Sequence, residues 1–197
     1  MHSEWLAFLA SRGANVADDD GIVRDFGDAA RERAAAAAGS IVADLSHYGV
    51  LTAGGADARA FLHSQLSCDV EGLADDAAAY GAYCTAKGRV LANVLLWAEA
   101  GTFFMLLPRS LAPGIRKRLQ MFVLRSKVTL DDRSGVLAVL GAAGPGARGA
   151  VAGLLGTMPG APLKKARGSD ATVIAIPSDA RMIRKSFRDE LSASLKT

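Results

Sequence analysis

Between Tyr80 and Lys127 the chain sets a few polar and cationic side chains into otherwise apolar segments. Lys87-Gly88-Arg89 reads as a tight turn with a basic tip. It opens the apolar run Val90–Ala98, whose one polar residue is Asn93. Further along, a basic amphipathic stretch ends in Arg125-Ser126-Lys127. A primary amide donates and accepts hydrogen bonds at once. Clustered cations attract carboxylates. Tyr48 and Tyr83 offer planes on which a flat ring can stack. This combination suits a flat, polar-edged anion better than it suits catalysis. Cys68 and Cys84 have no adjacent histidine, so a thiol nucleophile would lack its base.

Each residue also has a plainer reading. Lys87 and Arg89 can be solvated turn charges, and Asn93 can sit on the solvent face of a strand. Arg125 suits a helix C-terminus, where a cation is favourable by about 0.3–1 kcal/mol. Tyr48 and Tyr83 can be half-buried strand residues. Cys84 reads as an inert core thiol, His63 as a surface residue and Asp69 as a loop cap.

The elements that must position these groups follow from periodicity. Apolar residues at helical spacing mark short helices over residues 3–12, 57–66 and 110–124, with a small-residue helix over 144–155. The Ala-rich stretch 28–38 has high helix propensity and little to bury. Strands are expected at 41–45 and 48–53, around a Ser46-His47 turn, and at 78–85, 90–98, 102–107, 127–130, 135–140 and 171–177. The turns between the middle strands are too short for parallel crossovers, so the fold class is α+β with an antiparallel sheet and helices on one face. Val90–Ala98 reads as a central strand buried on both faces.

At 197 residues, half of them apolar, the chain can build one large or two small domains. A net charge of +3 does not by itself imply nucleic acid. Two cysteines outside a CxxC spacing, with no histidine cluster, argue against structural zinc and fit a reducing cytoplasm. No signal peptide and no run of about 18 apolar residues is evident, so no membrane span is expected. The Ala- and Gly-rich, aromatic-poor composition is typical of a high-GC bacterial genome.

Several of these pieces, taken in order, resemble the YgfZ-type folate-binding proteins, relatives of the glycine-cleavage T-protein. They are Gly55-Ala56-Asp57 before a helix, Gln65-Leu66-Ser67-Cys68-Asp69-Val70 at its end, and Tyr83-Cys84-Thr85-Ala86-Lys87-Gly88-Arg89. Asn93 and Ser126-Lys127-Val128-Thr129 complete the set. The resemblance covers roughly residues 40–145. It implies an aminomethyltransferase folate-binding-domain-like fold forming two lobes of a three-lobed ring. Residues 1–40 would be an N-terminal helical or linker segment contributing to the second lobe. Residues 41–134 would be the folate-binding-like lobe, and 135–197 the second α+β lobe, truncated. Tetrahydrofolate or a derivative is the implied ligand, with Tyr48, Tyr83, Lys87, Arg89, Asn93, Arg125 and Lys127 as candidate contacts. No catalytic and no metal-binding residue is expected.

The resemblance also implies a non-catalytic accessory role, supporting the assembly or repair of iron–sulfur enzymes, including those that thiolate tRNA. Asn93 stands where aminomethyl-transferring relatives place an aspartate, which argues against an aminomethyltransferase. That tetrahydrofolate-dependent enzyme remains an alternative. So does a basic RNA-binding module using Arg116, Lys117, Arg118, Arg125 and Lys127. Aromatics are not interleaved with these cations, which argues against direct nucleic-acid binding. The family's Lys-Gly-Cys-Tyr-x-Gly-Gln-Glu signature is not found in the chain. Apolar surface left by a missing lobe is expected to be covered either by Met182–Leu195, read as an amphipathic helix, or by a second copy in a homodimer.

Overall fold

The computed structural model describes residues 3–17, 21–168 and 171–177. They divide into two compact units, one drawn from Met1–Leu45 and Leu140–Thr197, the other from Ser46–Val139. The first unit begins with helix α1 (Ser3–Ser11), strands β1 (Asn15–Val16) and β2 (Val23–Asp25), helix α2 (Ala29–Ala38) and strand β3 (Ile41–Asp44). α2 is capped by Asp28, whose carboxylate accepts the Arg31 N–H at 2.9 Å. None of its residues is buried, as its alanine-rich composition suggests.

The second unit carries the candidate site. Its elements are β4 (Tyr48–Gly54), α3 (Ala58–Gln65), β5 (Ala78–Cys84), β6 (Val90–Glu99), β7 (Thr102–Pro108), a 3-10 turn (Arg109–Leu111), α4 (Ala112–Val123) and β8 (Thr129–Asp132). The five strands form one antiparallel sheet in the order β5-β6-β7-β4-β8. This is the expected α+β class with an antiparallel sheet.

Strand alternation assigns the two faces. Tyr83, Ala92, Val94, Leu96, Ala98, Phe103, Met105, Leu107, Leu51, Ala53 and Leu130 share one face. They pack with Ala58, Phe61 and Leu62 of α3 and with Ala112, Ile115, Leu119 and Val123 of α4. Fully burying one of the larger of these side chains, such as Leu96 or Met105, contributes about 1.5–3 kcal/mol. Both helices therefore cover the same face. Val94, Leu95 and Leu96 are all buried, so the middle of β6 is closed on both sides, whereas Val90 at its start is exposed.

The first unit resumes with β9 (Leu140–Ala143), α5 (Ala147–Leu155), β10 (Lys165–Arg167) and β11 (Thr172–Ile174). β3 pairs antiparallel with β9, from Ile41↔Ala143 to Asp44↔Leu140.

The strands flanking Ser46-His47 do not pair with each other: β3 goes to β9, and β4 lies between β7 and β8. Three expectations about where elements begin and belong need correction. Small residues permit the β3–β9 approach. A Cβ on Gly144 would collide with the Gly39 carbonyl, and one on Gly141 would meet Leu45 at 3.1 Å. β3 accordingly belongs with the first unit and not with the 41–134 lobe. The strand expected at 135–140 begins only at Leu140, because residues 133–137 close a turn in which Val136 and Leu137 N–H groups reach the Arg133 carbonyl. The strand expected at 127–130 runs Thr129–Asp132, because the Lys127 backbone is engaged elsewhere: its N–H donates to the Asp57 carboxylate at 2.7 Å. The proposed tail helix, Met182–Leu195, lies outside the described residues.

α4 ends one residue before the expected boundary. Leu124 takes φ +45° and ψ −107°, a conformation that a non-glycine residue adopts at a cost. Leu124→Gly is therefore expected to stabilise the protein by about 1 kcal/mol, because relief of about 1–3 kcal/mol of strain outweighs the entropic cost of glycine. Thermal unfolding checks this, and a lowered midpoint would refute it.

Candidate functional site

The end of the sheet where β4 starts and β7 finishes gathers the first group of candidate residues. β4 and β7 pair with Tyr48 opposite Pro108. β6 and β7 pair with Leu95 opposite Leu106, and continuing that register by two residues sets Asn93 level with Pro108. On the other side Asn93 pairs with Ala82 of β5. The β6–β7 pairing itself stops at Leu95–Leu106, so Asn93 shares a face and an end of the sheet with Pro108 and Tyr48, turned away from α3 and α4, without being paired to Pro108.

The surroundings of these residues are aromatic and basic. The rings of Tyr48 and His47 lie 4.5 Å apart at 44°. Arg109 follows Pro108 directly, and its N–H donates to the His47 carbonyl at 2.8 Å. The same face carries the stacked cross-strand pair Trp97 and Phe104, with centroids 5.4 Å apart and planes at 12°. The Trp97 indole N–H donates to the Glu99 carboxylate at 3.0 Å.

The β5–β6 turn projects from this end of the sheet. The Thr85 N–H reaches the Arg89 carbonyl at 2.8 Å, the Gly88 N–H reaches the Thr85 carbonyl at 2.8 Å, and the Thr85 hydroxyl accepts from the Arg89 N–H at 3.1 Å. Gly88 sits at φ +75°, where a side chain would be strained. The tip that carries Lys87 and Arg89 is thereby fixed, with both residues exposed.

The other candidates fall elsewhere. Tyr83 is 3% exposed and part of the core between the sheet and its helices. It pairs with Ala92, so it faces away from Asn93 and cannot meet a ligand on Asn93's side. Arg125 and Lys127 follow α4 at the far end of the sheet, where β4 finishes. β4 spans six residue steps, about 20 Å. Exposed Arg125 and Lys127 are therefore not in one site with Tyr48 and Asn93.

Several motif residues turn out to be scaffold. Asp57 accepts the Lys127 N–H through its carboxylate, and its own N–H donates to the Lys127 carbonyl at 3.3 Å. Gly55, at φ +112°, leaves room for that carbonyl. Ser67 brackets Ala82 of β5, its N–H donating to the Ala82 carbonyl and its hydroxyl accepting the Ala82 N–H. Cys68 rests over Gly81, and burial raises its thiol pKa, which makes it a poor nucleophile. Arg59 donates to the carbonyls of Val70, Glu71 and Leu73 and lies 5.1 Å from the Phe103 ring, so it pins the loop after α3. His63 accepts the Val70 N–H at 3.3 Å, so it holds the same loop and is no bystander.

Sequence reasoning passed over His47, Arg109 and the Trp97–Phe104 pair. The signal for the pair was present: Trp97 and Phe104 stand symmetrically about the turn between Glu99 and Thr102. The other two depend on which strand lies next to β4, and no local pattern encodes that. Among the described residues no group of histidine, cysteine or acidic side chains could hold a metal ion. No helix among them is long and apolar enough to cross a membrane.

Residues 22–194 match the family described as the GCVT N-terminal domain. The chain belongs to that family. Its curated relatives include the tRNA-modifying protein YgfZ of Pectobacterium carotovorum, 31% identical over 152 residues, covering 77% of this chain and 45% of that protein. The tRNA-modifying protein YgfZ of Escherichia coli is 33% identical over 116 residues, covering 58% of this chain and 35% of that protein. Within the family the chain is thus of the YgfZ type, and it spans less than half the length of these relatives. The crystal structure of glycine cleavage system aminomethyltransferase T from Bartonella henselae superposes with a TM-score of 0.69 at 17% identity. It covers 94% of this chain and 56% of that one, a likeness of fold.

Proposed function

We propose that this YgfZ-type chain is a folate-binding accessory protein that supports tRNA modification through iron–sulfur enzymes and does not itself turn folate over. The observation that carries the reading is that Asn93 and Tyr48 lie on one face at one end of the sheet. The residues there fit a reduced folate. The Asn93 amide can donate to and accept from the edge of a pterin. Tyr48, backed by His47, offers a plane for a ring. Lys87 and Arg89 sit at the same end and can draw in the ligand's glutamate carboxylates.

Tetrahydrofolate supplies a carrier for one-carbon units when bound. What this chain's residues do is bind and orient it. An amide at position 93 cannot supply the negative charge with which a carboxylate would stabilise positive charge developing on the ligand. This supports a binding role over aminomethyl transfer. The names of the relatives support tRNA modification as the process served.

Calorimetry with tetrahydrofolate tests the reading. Asn93 is exposed and Tyr48 and Pro108 are only half-buried, so the expected dissociation constant is roughly micromolar and no tighter. Asn93→Ala should weaken binding by about tenfold, the loss of one to two hydrogen bonds. Arg125→Ala, at the far end of the sheet, should leave it unchanged. Equal losses at both positions, or no binding by the parent chain, would sink the assignment. Transfer of an aminomethyl group to tetrahydrofolate by the purified chain would restore the enzyme reading.

A further inference from the structure

The basic residues that the sheet-end site leaves unused surround an apolar projection at the C-terminal end of α4. Met121 is 57% exposed, Phe122 50% and Leu124 86%. The helix already spends Ala112, Ile115, Leu119 and Val123 on the core, so these three are surplus to folding. Leu124 is held outward at a positive φ. Strain of this kind tends to be kept where it serves a function. The nineteen residues Arg109–Lys127 contain six basic side chains and no acidic one. Lys117, Arg118, Arg125 and Lys127 among them are exposed.

We propose that Met121, Phe122 and Leu124, rimmed by Lys117, Arg118, Arg125 and Lys127, form a docking surface for an acidic protein partner, one that presents an apolar helix face flanked by aspartate and glutamate. An apolar centre within a charged rim, rich in methionine, aromatic and arginine side chains, is the anatomy of a protein interface. Charge complementarity selects an acidic partner and speeds its approach. A nucleic acid would use the cations and one aromatic ring but would leave Met121 and Leu124 against phosphates, so it fits less well. A bilayer needs a long apolar stripe, and here the long stripe of α4 faces the core. This surface is separate from Asn93 and Tyr48 and does not rest on the folate reading.

The test uses the full chain and a labelled amphipathic helical peptide with leucine and phenylalanine along one face and glutamate flanking that face on both sides. Vesicles of phosphatidylglycerol and bulk tRNA are parallel probes. Fluorescence anisotropy is followed at about 50 mM and about 300 mM salt. The peptide should bind, more weakly at high salt. The double substitution Met121→Ser with Leu124→Ser, which keeps every charge, should weaken binding by at least about tenfold. Arg118→Glu with Arg125→Glu should abolish binding of the glutamate peptide and confer binding of its lysine counterpart. The reference variant Val136→Ser, exposed elsewhere, should bind as the parent does. The proposal is overturned if the peptide does not bind, if the serine pair binds like the parent, or if vesicles or tRNA bind more tightly than the peptide.

Discussion

Gly55→Ala is expected to cost about 2–6 kcal/mol of stability, much of a typical domain's margin of about 5–15 kcal/mol. Two penalties combine. At φ +112° an alanine is strained by about 1–3 kcal/mol. Its Cβ would also collide with the Lys127 carbonyl oxygen and sit 3.0 Å from the carbonyl carbon. Relieving that overlap must push the chain after α4 away from the turn before α3, at about 1–3 kcal/mol for forced repacking. The same shift would break the two hydrogen bonds between Asp57 and the Lys127 backbone. Asp57→Ala, which removes only the carboxylate's bond, should cost about 1.5–3 kcal/mol. The double variant should cost less than the sum, because both changes undo one junction. Urea unfolding of the three variants provides the measurement. A loss below about 1 kcal/mol for Gly55→Ala would refute this account of the turn.

That junction shows which parts of the molecule could be read from the chain. Gly55-Ala56-Asp57 and Ser126-Lys127-Val128-Thr129 stand out as motifs, and with the other matching pieces they led to the right family. Their physical task is to hold each other, which no local pattern states, because the partners are seventy residues apart. The hairpins β5–β6 and β6–β7 were legible since short turns and alternation specify them locally. The pairing of β3 with β9 was not, since nothing near Ile41 points to Gly141. The candidate site divided along the same line. Lys87, Arg89 and Asn93 belong to one hairpin, so their shared end of the sheet follows from sequence. Tyr48 joins them only through the β4–β7 register. Arg125 and Lys127 were grouped with them by charge and by the family resemblance, and the direction in which α4 runs carries them to the other end. For Tyr83 one step of alternation decides the outcome, because a shift of one residue turns a side chain to the opposite face.

Tyr83 therefore separates a structural from a ligand role most sharply. Tyr83→Ala is expected to destabilise the protein by about 3–5 kcal/mol, as for other large aromatics removed from a packed core. The residue is 3% exposed, shares its cluster with Val94, Leu96 and Met105, and forms a bridge with Leu66 at the end of α3. Tyr83→Phe keeps the ring and fills the same space. It should cost less than about 1.5 kcal/mol, as a shape-conserving swap in a packed core, and should leave tetrahydrofolate affinity within about twofold of the parent. Tyr48→Ala should do the reverse. Tyr48 lies at the start of β4 and is only half-buried, so its loss should cost little stability while weakening the ligand. Calorimetry and urea unfolding on the three variants read both axes at once. If Tyr83→Phe lowered affinity as far as Tyr48→Ala does, the ligand would have to reach the core face, and the face shared by Asn93, Pro108 and Tyr48 would not be its site.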